Sequence, residues 1–504
     1  MSDRLVPFNT PELLFIGCYL ASLVVIGFLG FRARKADSLR DFYLAGKGIG
    51  FLVLLLTLYS TQYSGNTLFG FTGKTYRVGF SWTMSIHFMT AIVVFYLLLA
   101  PKLFRLSKEH GFITPTDFLQ YRFGSPILST LASILMVVAI ANFLLAQFIA
   151  MGNAVEGLTD YDPKRAHAAG VVVLALIIVV YETLGGFRAV AWTDAIQGAV
   201  LLAGFVILFV LVLREFGSIE AATNIIIAEQ PEKVAAPGWS KSREWLSYVL
   251  LVGMGGALYP QAIQRIYASN SASGLRRSLC VMAFLPLTTA LIALIVGVMG
   301  LAHIPGLITQ HVNDAGEIVT IDRSDTLLTV VCRRVQEGSL FGRWLVVVLF
   351  SAILAAIMST ADSVLLSISS MLTKDIYGQH INRSASDKHL TLVGKISSWV
   401  LVAAMIYLAI ALRGTTLVTL LDRKFDLLVQ LAPAFFLGLH WKAMRSGPTL
   451  AGIIAGLTVV FLLLALGHER VAGFHPGLLG LALNLAIATL GSACIDPRRS
   501  REPG

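Results

Sequence analysis

Ser359 and Thr360 stand side by side in an apolar run from about 340 to 371, and Asp362 and Ser363 follow at once. Adjacent hydroxyls are hard oxygen ligands without full charge, and carbonyls freed from an unwound helix would add more of the kind that Na⁺ takes. Ser359, Ser363, Ser367 and Ser370 follow i, i+4, i+8 and i+11, so they line one helix face. The same face also suits hydroxyls that bond across to neighbouring helices. A carboxylate at Asp362 costs at least about 2.5–3.5 kcal/mol inside a span, so it must face a cavity or a partner. Asp194, in Ala191-Trp-Thr-Asp-Ala-Ile-Gln197, lies near the start of another run, where it either caps a helix or serves a site.

A source of free carbonyls lies in Leu58-Tyr-Ser-Thr-Gln-Tyr-Ser-Gly-Asn-Thr-Leu-Phe-Gly70, a small and polar patch within the apolar segment that begins at Phe51. Lipid offers backbone no hydrogen bonds, so such a patch belongs where protein or trapped water replaces it. Gly253-Met-Gly-Gly-Ala-Leu-Tyr-Pro260 is a second interruption of the same kind. Two interrupted helices at corresponding places are the sequence mark of an inverted-repeat transporter with its site near the midplane. Small residues at close helix contacts give the same pattern.

The elements that hold these residues are membrane spans. With 56% hydrophobic and 13% charged residues over 504 positions, an ordinary soluble domain is excluded. About thirteen runs are long enough to cross the bilayer, at roughly 11–31, 50–72, 79–100, 125–151, 166–184, 193–214, 244–268, 277–301, 340–371, 389–412, 416–439, 446–466 and 476–494. The run from Leu13 to Phe31 is too long for a signal-peptide core and reads as a retained span. The run 416–439 is the least regular, with Asp422, Arg423, Lys424 and Asp426 in its first half.

The net charge of +10 sits in alternate loops. One set holds Arg32 to Lys47, Lys102 to Arg122, Arg188, Arg265 to Arg277, Lys374 to Lys388, Lys442 to Arg445 and Arg498 to Arg501; the other is poorer and mixed with acids. The positive-inside rule puts the first set in the cytoplasm, the N-terminus outside and the C-terminus inside. The basic charge thus reports topology and implies no nucleic-acid partner. Cys18, Cys280, Cys332 and Cys494 are scattered and suggest neither a disulfide framework nor a thiolate metal site. Scattered histidines and the lack of a Gly-rich nucleotide loop argue against an enzyme.

Phe42-Tyr-Leu-Ala-Gly-Lys47, Ile113-Thr-Pro-Thr-Asp117, Leu184-Gly-Gly-Phe-Arg-Ala-Val190, Thr193-Asp-Ala-Ile-Gln197 and Met358-Ser-Thr-Ala-Asp-Ser363 together resemble the sodium:solute symporter family, from about residue 10 to 465. The resemblance implies an all-α polytopic protein with a leucine-transporter-like 5+5 inverted-repeat core, broken at about 58–67 and 253–260. Its parts would be a first helix and loop at 1–49, repeats at 50–214 and 243–439, an extracytoplasmic loop at 215–242, and peripheral helices and tail at 440–504. By position it implies a main Na⁺ site of Ser60 and Tyr63 carbonyls, the Ala356 carbonyl and the Ser359 and Thr360 hydroxyls. Some members hold a second Na⁺, which here would fall on Asp194, Ser359, Asp362 and Ser363. Asp362 departs from the serine expected there, which leaves a Na⁺ ligand, a proton carrier or the partner of a basic group as its roles.

The resemblance also implies a small organic solute, with Na⁺ as coupling ion, the lipid bilayer as surroundings, no obligatory protein partner and a bacterial cytoplasmic membrane as location. Expected solute contacts are Gln62, Ser64, Gly65, Asn66, Gly256, Tyr259, Gln261 and Gln430, with Asn142 and Gln147 as secondary candidates. Proline-carrying members have an acid where Gln62 stands and aromatics where Val252 and Gly256 stand. Tyr59 to Gly65, Gly73 to Tyr76 and Gly79 to Trp82 look closer to a pantothenate-like branch and an organic acid. Proton coupling through Asp362 or Asp194, and a solute sensor on the transporter fold, are the alternatives.

Overall fold

The computed structural model describes residues 5–36, 38–156, 162–312, 318–413 and 417–494. Among these, nine helices are long and apolar enough to cross a membrane, or ten if one bent pair is a single span. The count falls below thirteen because several apolar runs are joined, broken or short. Helix α1 (Thr10–Arg32) is followed by α2 (Phe51–Gln62), α3 (Phe71–Val78), α4 (Met84–His110), α5 (Pro126–Glu156) and α6 (Pro163–Phe216). At 1.5 Å per residue the 54 residues of α6 would reach about 80 Å, far beyond a bilayer core of about 30 Å. The helix instead turns at Gly186 (φ 59°, ψ −149°), where a side chain would lie 2.5 Å from the Phe42 carbonyl. Only glycine takes this conformation freely, so two spans meet with almost no loop.

The second half holds α7 (Trp239–Ala257), α8 (Pro260–Ala268), α9 (Ala272–Met282) and α10 (Ala290–His303). After them come strands β1 (Ile308–Val312) and β2 (Ile318–Asp322), then α11 (Leu327–Gly338) and α12 (Leu340–Met371). The strands pair antiparallel, with Gln310 opposite Thr320, and form a small hairpin in an otherwise helical fold. Helices α13 (Asp387–Ala411), α14 (Leu417–Leu428), α15 (Ser446–Ala465) and α16 (Pro476–Cys494) complete the chain. The run expected as one helix over 277–301 is broken between α9 and α10, where Pro286 sits in a tight turn. Proline lacks the N–H that a continuous helix needs.

Both expected interruptions are present. Tyr63 leaves helical geometry (φ −107°, ψ 109°), and the chain resumes at Asn66–Gly70 as a wider turn leading into α3. The Thr67 hydroxyl accepts from the Ser64 N–H at 3.3 Å and caps the restart. Gly65 is required by packing, because a Cβ there would lie 2.7 Å from Cγ1 of Ile357 on α12. Helices α7 and α8 meet at 48° across Leu258 and Tyr259. Pro260 is the cause: it forces Tyr259 out of helical geometry and starts the next helix with its φ already set.

Helix α12 is the axis of the molecule. Every residue from Leu349 to Met371 is buried, so its serine face meets protein throughout. Below the site, Ser367 and Ser370 are held by Gln264, each at 2.6 Å, and Ser369 bonds to Tyr43 at 2.9 Å. These hydroxyls bond across helices, as the alternative reading of the stripe requires. The Thr-Pro-Thr motif also fastens segments together, with Thr114 and Thr116 donating to Asp375 at 2.8 and 2.6 Å. Arg188 pairs with Asp41 at 2.8 Å with both side chains buried, so it is a fastening and no longer counts among the loop charges.

Candidate functional site

The break in α2 lies against the middle of α12. The Ser60 carbonyl, freed because the helix ends two residues on, accepts from Ser359 Oγ at 3.2 Å. Ser359 Oγ also lies 3.4 Å from the Ala356 carbonyl, and Thr360 Oγ1 donates to that carbonyl at 3.0 Å. Four of the five expected Na⁺ ligands are therefore brought together, all fully buried. Tyr63 is the residue at which the helix opens, which leaves its carbonyl without the usual helical partner. Neutral oxygens from two helices, with no carboxylate bonded to them, make a donor set suited to a weakly held monovalent cation.

One turn along α12 the chemistry changes. Asp194 is well inside α6, so the capping role open to it in sequence does not apply. Its Oδ2 accepts from Thr57 Oγ1 at 2.5 Å and from Arg265 Nη2 at 2.6 Å, with Ser363 Oγ at 3.4 Å. Arg265 is fully buried on α8 and spends its remaining donors on Thr57 Oγ1 and the Gln261 carbonyl, each at 2.8 Å, and on Ser363 Oγ. The ring of Phe187 covers its guanidinium at 5.6 Å. Asp362 accepts from the Tyr181 hydroxyl at 2.5 Å and from Ser363 Oγ at 3.1 Å, and is in no ion pair among the described residues.

The residues expected for a second cation, Asp194, Ser359, Asp362 and Ser363, are divided between these two clusters. Ser359 bonds to the neutral cluster, and a resident guanidinium stands among the other three. In sequence Arg265 reads as a loop charge because it lies near the end of its run. A carboxylate at membrane depth needs a partner, so two unexplained acids are the sequence signal for a cation inside a span.

A cavity opens beside both helix breaks, with about 640 Å³ of empty space including its mouth. Of the expected solute contacts, Gln62, Ser64 and Tyr259 line it. Gln62 Oε1 accepts from the Tyr96 hydroxyl at 3.3 Å, and the same hydroxyl is 3.0 Å from the Gly256 carbonyl. Gly65 and Gly256 are absent from the wall: the first packs on Ile357 and the second on Ile92. Gln261 is buried outside the wall, its amide atoms unpartnered. The Asn66 side chain lies outside the described residues.

Gln430 faces away from the cavity. Its Nε2 donates to the Gly477 carbonyl at 2.8 Å, and its own carbonyl accepts from Asn484 at 2.7 Å, so it fastens the chain after α14 to α16. Asn142 and Gln147 do not line the cavity either. The wall instead includes Trp82, Phe88, Phe143, Lys424 and Phe425, which the sequence does not single out as contacts. In sequence Lys424 weighs only against its own span, since charge in an apolar run looks like a loop.

Comparison with known proteins places the chain, by one family model, among the relatives of cation-coupled transporters. The model of the sodium:solute symporter family matches residues 42–456. The chain is 27% identical over 477 residues to the osmoregulated proline transporter OpuE of Bacillus subtilis, covering 93% of this chain and 92% of that protein. It is 26% identical to the sodium/proline symporter of Escherichia coli, covering 97% and 96%. The sodium/pantothenate symporter of Haemophilus influenzae is also 26% identical, covering 92% and 91%. Among solved structures, a Na⁺-coupled sialic acid symporter in a substrate-bound outward-open state superposes with a TM-score of 0.81 at 19% identity, covering 97% of this chain and 98% of that one. Mhp1, a nucleobase-cation-symport-1 family transporter, superposes with a TM-score of 0.57 at 15% identity, covering 91% and 97%.

Proposed function

The chain belongs to the sodium:solute symporter family, and from that premise we propose that it couples Na⁺ entry to uptake of a small organic acid. It is a membrane transporter, as members of this family are, and its fold is the leucine-transporter-like one. In this reading Na⁺ is held by the carbonyls of Ser60, Tyr63 and Ala356 and the hydroxyls of Ser359 and Thr360. The observation that carries it is the 3.2 Å contact from Ser359 Oγ to the Ser60 carbonyl, which joins α12 to the broken helix.

An ion at that junction fixes α2 relative to α12, and α2 with its restart carries Gln62 and Ser64 to the cavity wall. Ion and solute then stabilise the same arrangement, so each tightens the other through one shared free energy. Asp194 is read as a partner of Arg265, which leaves one Na⁺ per cycle. The repeats are taken as 50–214 and 243–439. The loop basic residues that remain after Arg188 and Arg265 are set aside still favour an outer N-terminus and a cytoplasmic C-terminus in a bacterial cytoplasmic membrane.

The test is the thermal stability of purified protein titrated with Na⁺ against K⁺. Wild type should be stabilised by Na⁺ alone. Ser359→Ala and Thr360→Ala should each move the Na⁺ midpoint up about tenfold, the equivalent of about 1.4 kcal/mol. An unchanged midpoint in both overturns the assignment.

A further inference from the structure

Helix α16 and the loop that leads into it lie beyond residue 456, where the match to the family model ends. None of their described residues lines the cavity. Their contacts still fall on two of its walls. Tyr248 on α7 and Phe425 on α14 both line the cavity, and the start of α16 bonds to the residue beside each of them. The backbone N–H of His475 donates to Ser247 Oγ at 2.9 Å, and the Gly477 N–H donates to Asp426 Oδ1 at 2.8 Å.

The bonds at His475 fix its ring. Ser247 Oγ already accepts from the His475 backbone, so its own hydrogen is left to donate to Nδ1, 2.6 Å away. Nδ1 is then an acceptor, and the neutral imidazole carries its hydrogen on Nε2. Burial first, then Arg470 and Arg423, push the imidazole down to about 3 from the ordinary 6.5, so the ring is uncharged near neutral pH. Oriented in this way, it meets Tyr248 edge to face with centroids 4.5 Å apart, while Arg470 Nη2 donates to the Tyr248 hydroxyl at 2.9 Å. Space filling does not account for an imidazole here. Its Nε2 is buried with no partner among the described residues, a cost that an apolar side chain of similar volume would avoid. What the imidazole adds is an acceptor for Ser247 and an oriented ring against Tyr248.

The other end of the contact is just as specific. Gln430 Nε2 donates to the Gly477 carbonyl at 2.8 Å, and a Cβ on Gly477 would lie 2.5 Å from Asp426 Oδ1. Building on the reading of the cavity as the solute site, we infer that His475 is a positioning residue for transport: through Ser247 and Tyr248 it sets the α7 wall against the α14 wall that Gly477 holds. The peripheral helix pair is then part of the transport machinery. A wall ordered in advance spares the solute the cost of ordering it on binding.

The experiment uses the full-length protein in detergent with 3-fluorotyrosine at position 248 alone, read by fluorine NMR as the number and width of lines. Wild type should give one narrow line. His475→Leu fills the space without an acceptor and should split or broaden that line. His475→Asn keeps an acceptor near the place of Nδ1 and should stay closer to wild type. A space-filling role predicts the opposite order, and that order overturns the inference. Ser247→Ala removes only the hydroxyl that orients the ring and should broaden the line as His475→Leu does, which keeps the test decisive if His475→Leu does not fold. An unchanged line in Ser247→Ala also overturns the inference. No solute or Na⁺ is needed for any of these spectra, so the symporter reading stands or falls separately, on the stabilisation of wild type by Na⁺ against K⁺.

Discussion

Ser359 and Ser363 stand one turn apart on α12, both buried, yet they belong to opposite kinds of electrostatics. Around Ser359 every bonded oxygen is neutral: the carbonyls of Ser60 and Ala356, with Thr360 alongside. Around Ser363 two carboxylates and a guanidinium meet within hydrogen-bond reach. The first cluster has donors for a cation and none of its own. The second carries its cation on the chain. A neutral cluster can bind and release an ion at modest cost, whereas a buried ion pair loses several kcal/mol when one partner goes. The pair therefore suits a permanent joint between α6, α8 and α12, and the neutral cluster suits a joint that opens once per transport cycle.

The contrast between the two joints breaks most readily at Arg265. Arg265→Gln leaves Asp194 buried without a counter-charge, and the loss of stability should be about 3–5 kcal/mol, read as unfolding in detergent. Asp194→Asn added to Arg265→Gln should recover most of it, since a neutral pair carries no such penalty. If the double variant is no better than the single one, the joint is not electrostatic. Tyr181→Phe comes next: it removes a hydroxyl donor from buried Asp362 and should cost about 1–3 kcal/mol, again without displacing the Na⁺ midpoint.

Replacing each of the two serines in turn sharpens the contrast. Ser359→Ala should raise the Na⁺ midpoint about tenfold with little loss of stability, while Ser363→Ala should leave that midpoint in place and cost about 1 kcal/mol of stability. Equal effects on Na⁺ from both would merge the clusters into one site.

The smallest effect is expected where neither cluster reaches, at Lys47 before α2. Burial first, then Arg40 and Lys108, hold its ammonium down to about 8 from the ordinary 10.5. Above pH 8 the folded protein binds fewer protons there than the unfolded chain does, so stability should rise slightly from about pH 8 to 10.5. Lys47→Gln should flatten that rise in a series of melting curves.

Much of the architecture can be read without coordinates. Apolar length marks the helices, and Pro260 marks one break because its effect is local, its ring acting on the residue before it; Gly65 marks the other, although what requires it is Ile357 on α12. The adjacency of Ser359 and Thr360 is likewise local, and three of the four converging oxygens come from that one helix. Other features are legible only after folding. The Gly186 turn merges two expected spans because Phe42, far away in sequence, leaves no room for a side chain. Gln430 looks like a solute contact until α16 is seen to take it, and Pro286 breaks a run that hydropathy reads as continuous.

Charge shows the division most clearly. From residue types and spacing the sequence by itself determined a polytopic helical protein, two broken helices and a row of hydroxyls able to meet a cation, all consequences of contacts within a few residues. Only the tertiary structure decided what each charge faces. Arg265 and Lys424 appear in sequence as loop-like interruptions, and folding places one beside Asp194 and the other against Phe143 at the cavity wall. The physical reason is range: helix geometry is set by near neighbours, whereas the role of a buried charge is set by whatever distant segment the fold brings within about 4 Å of it.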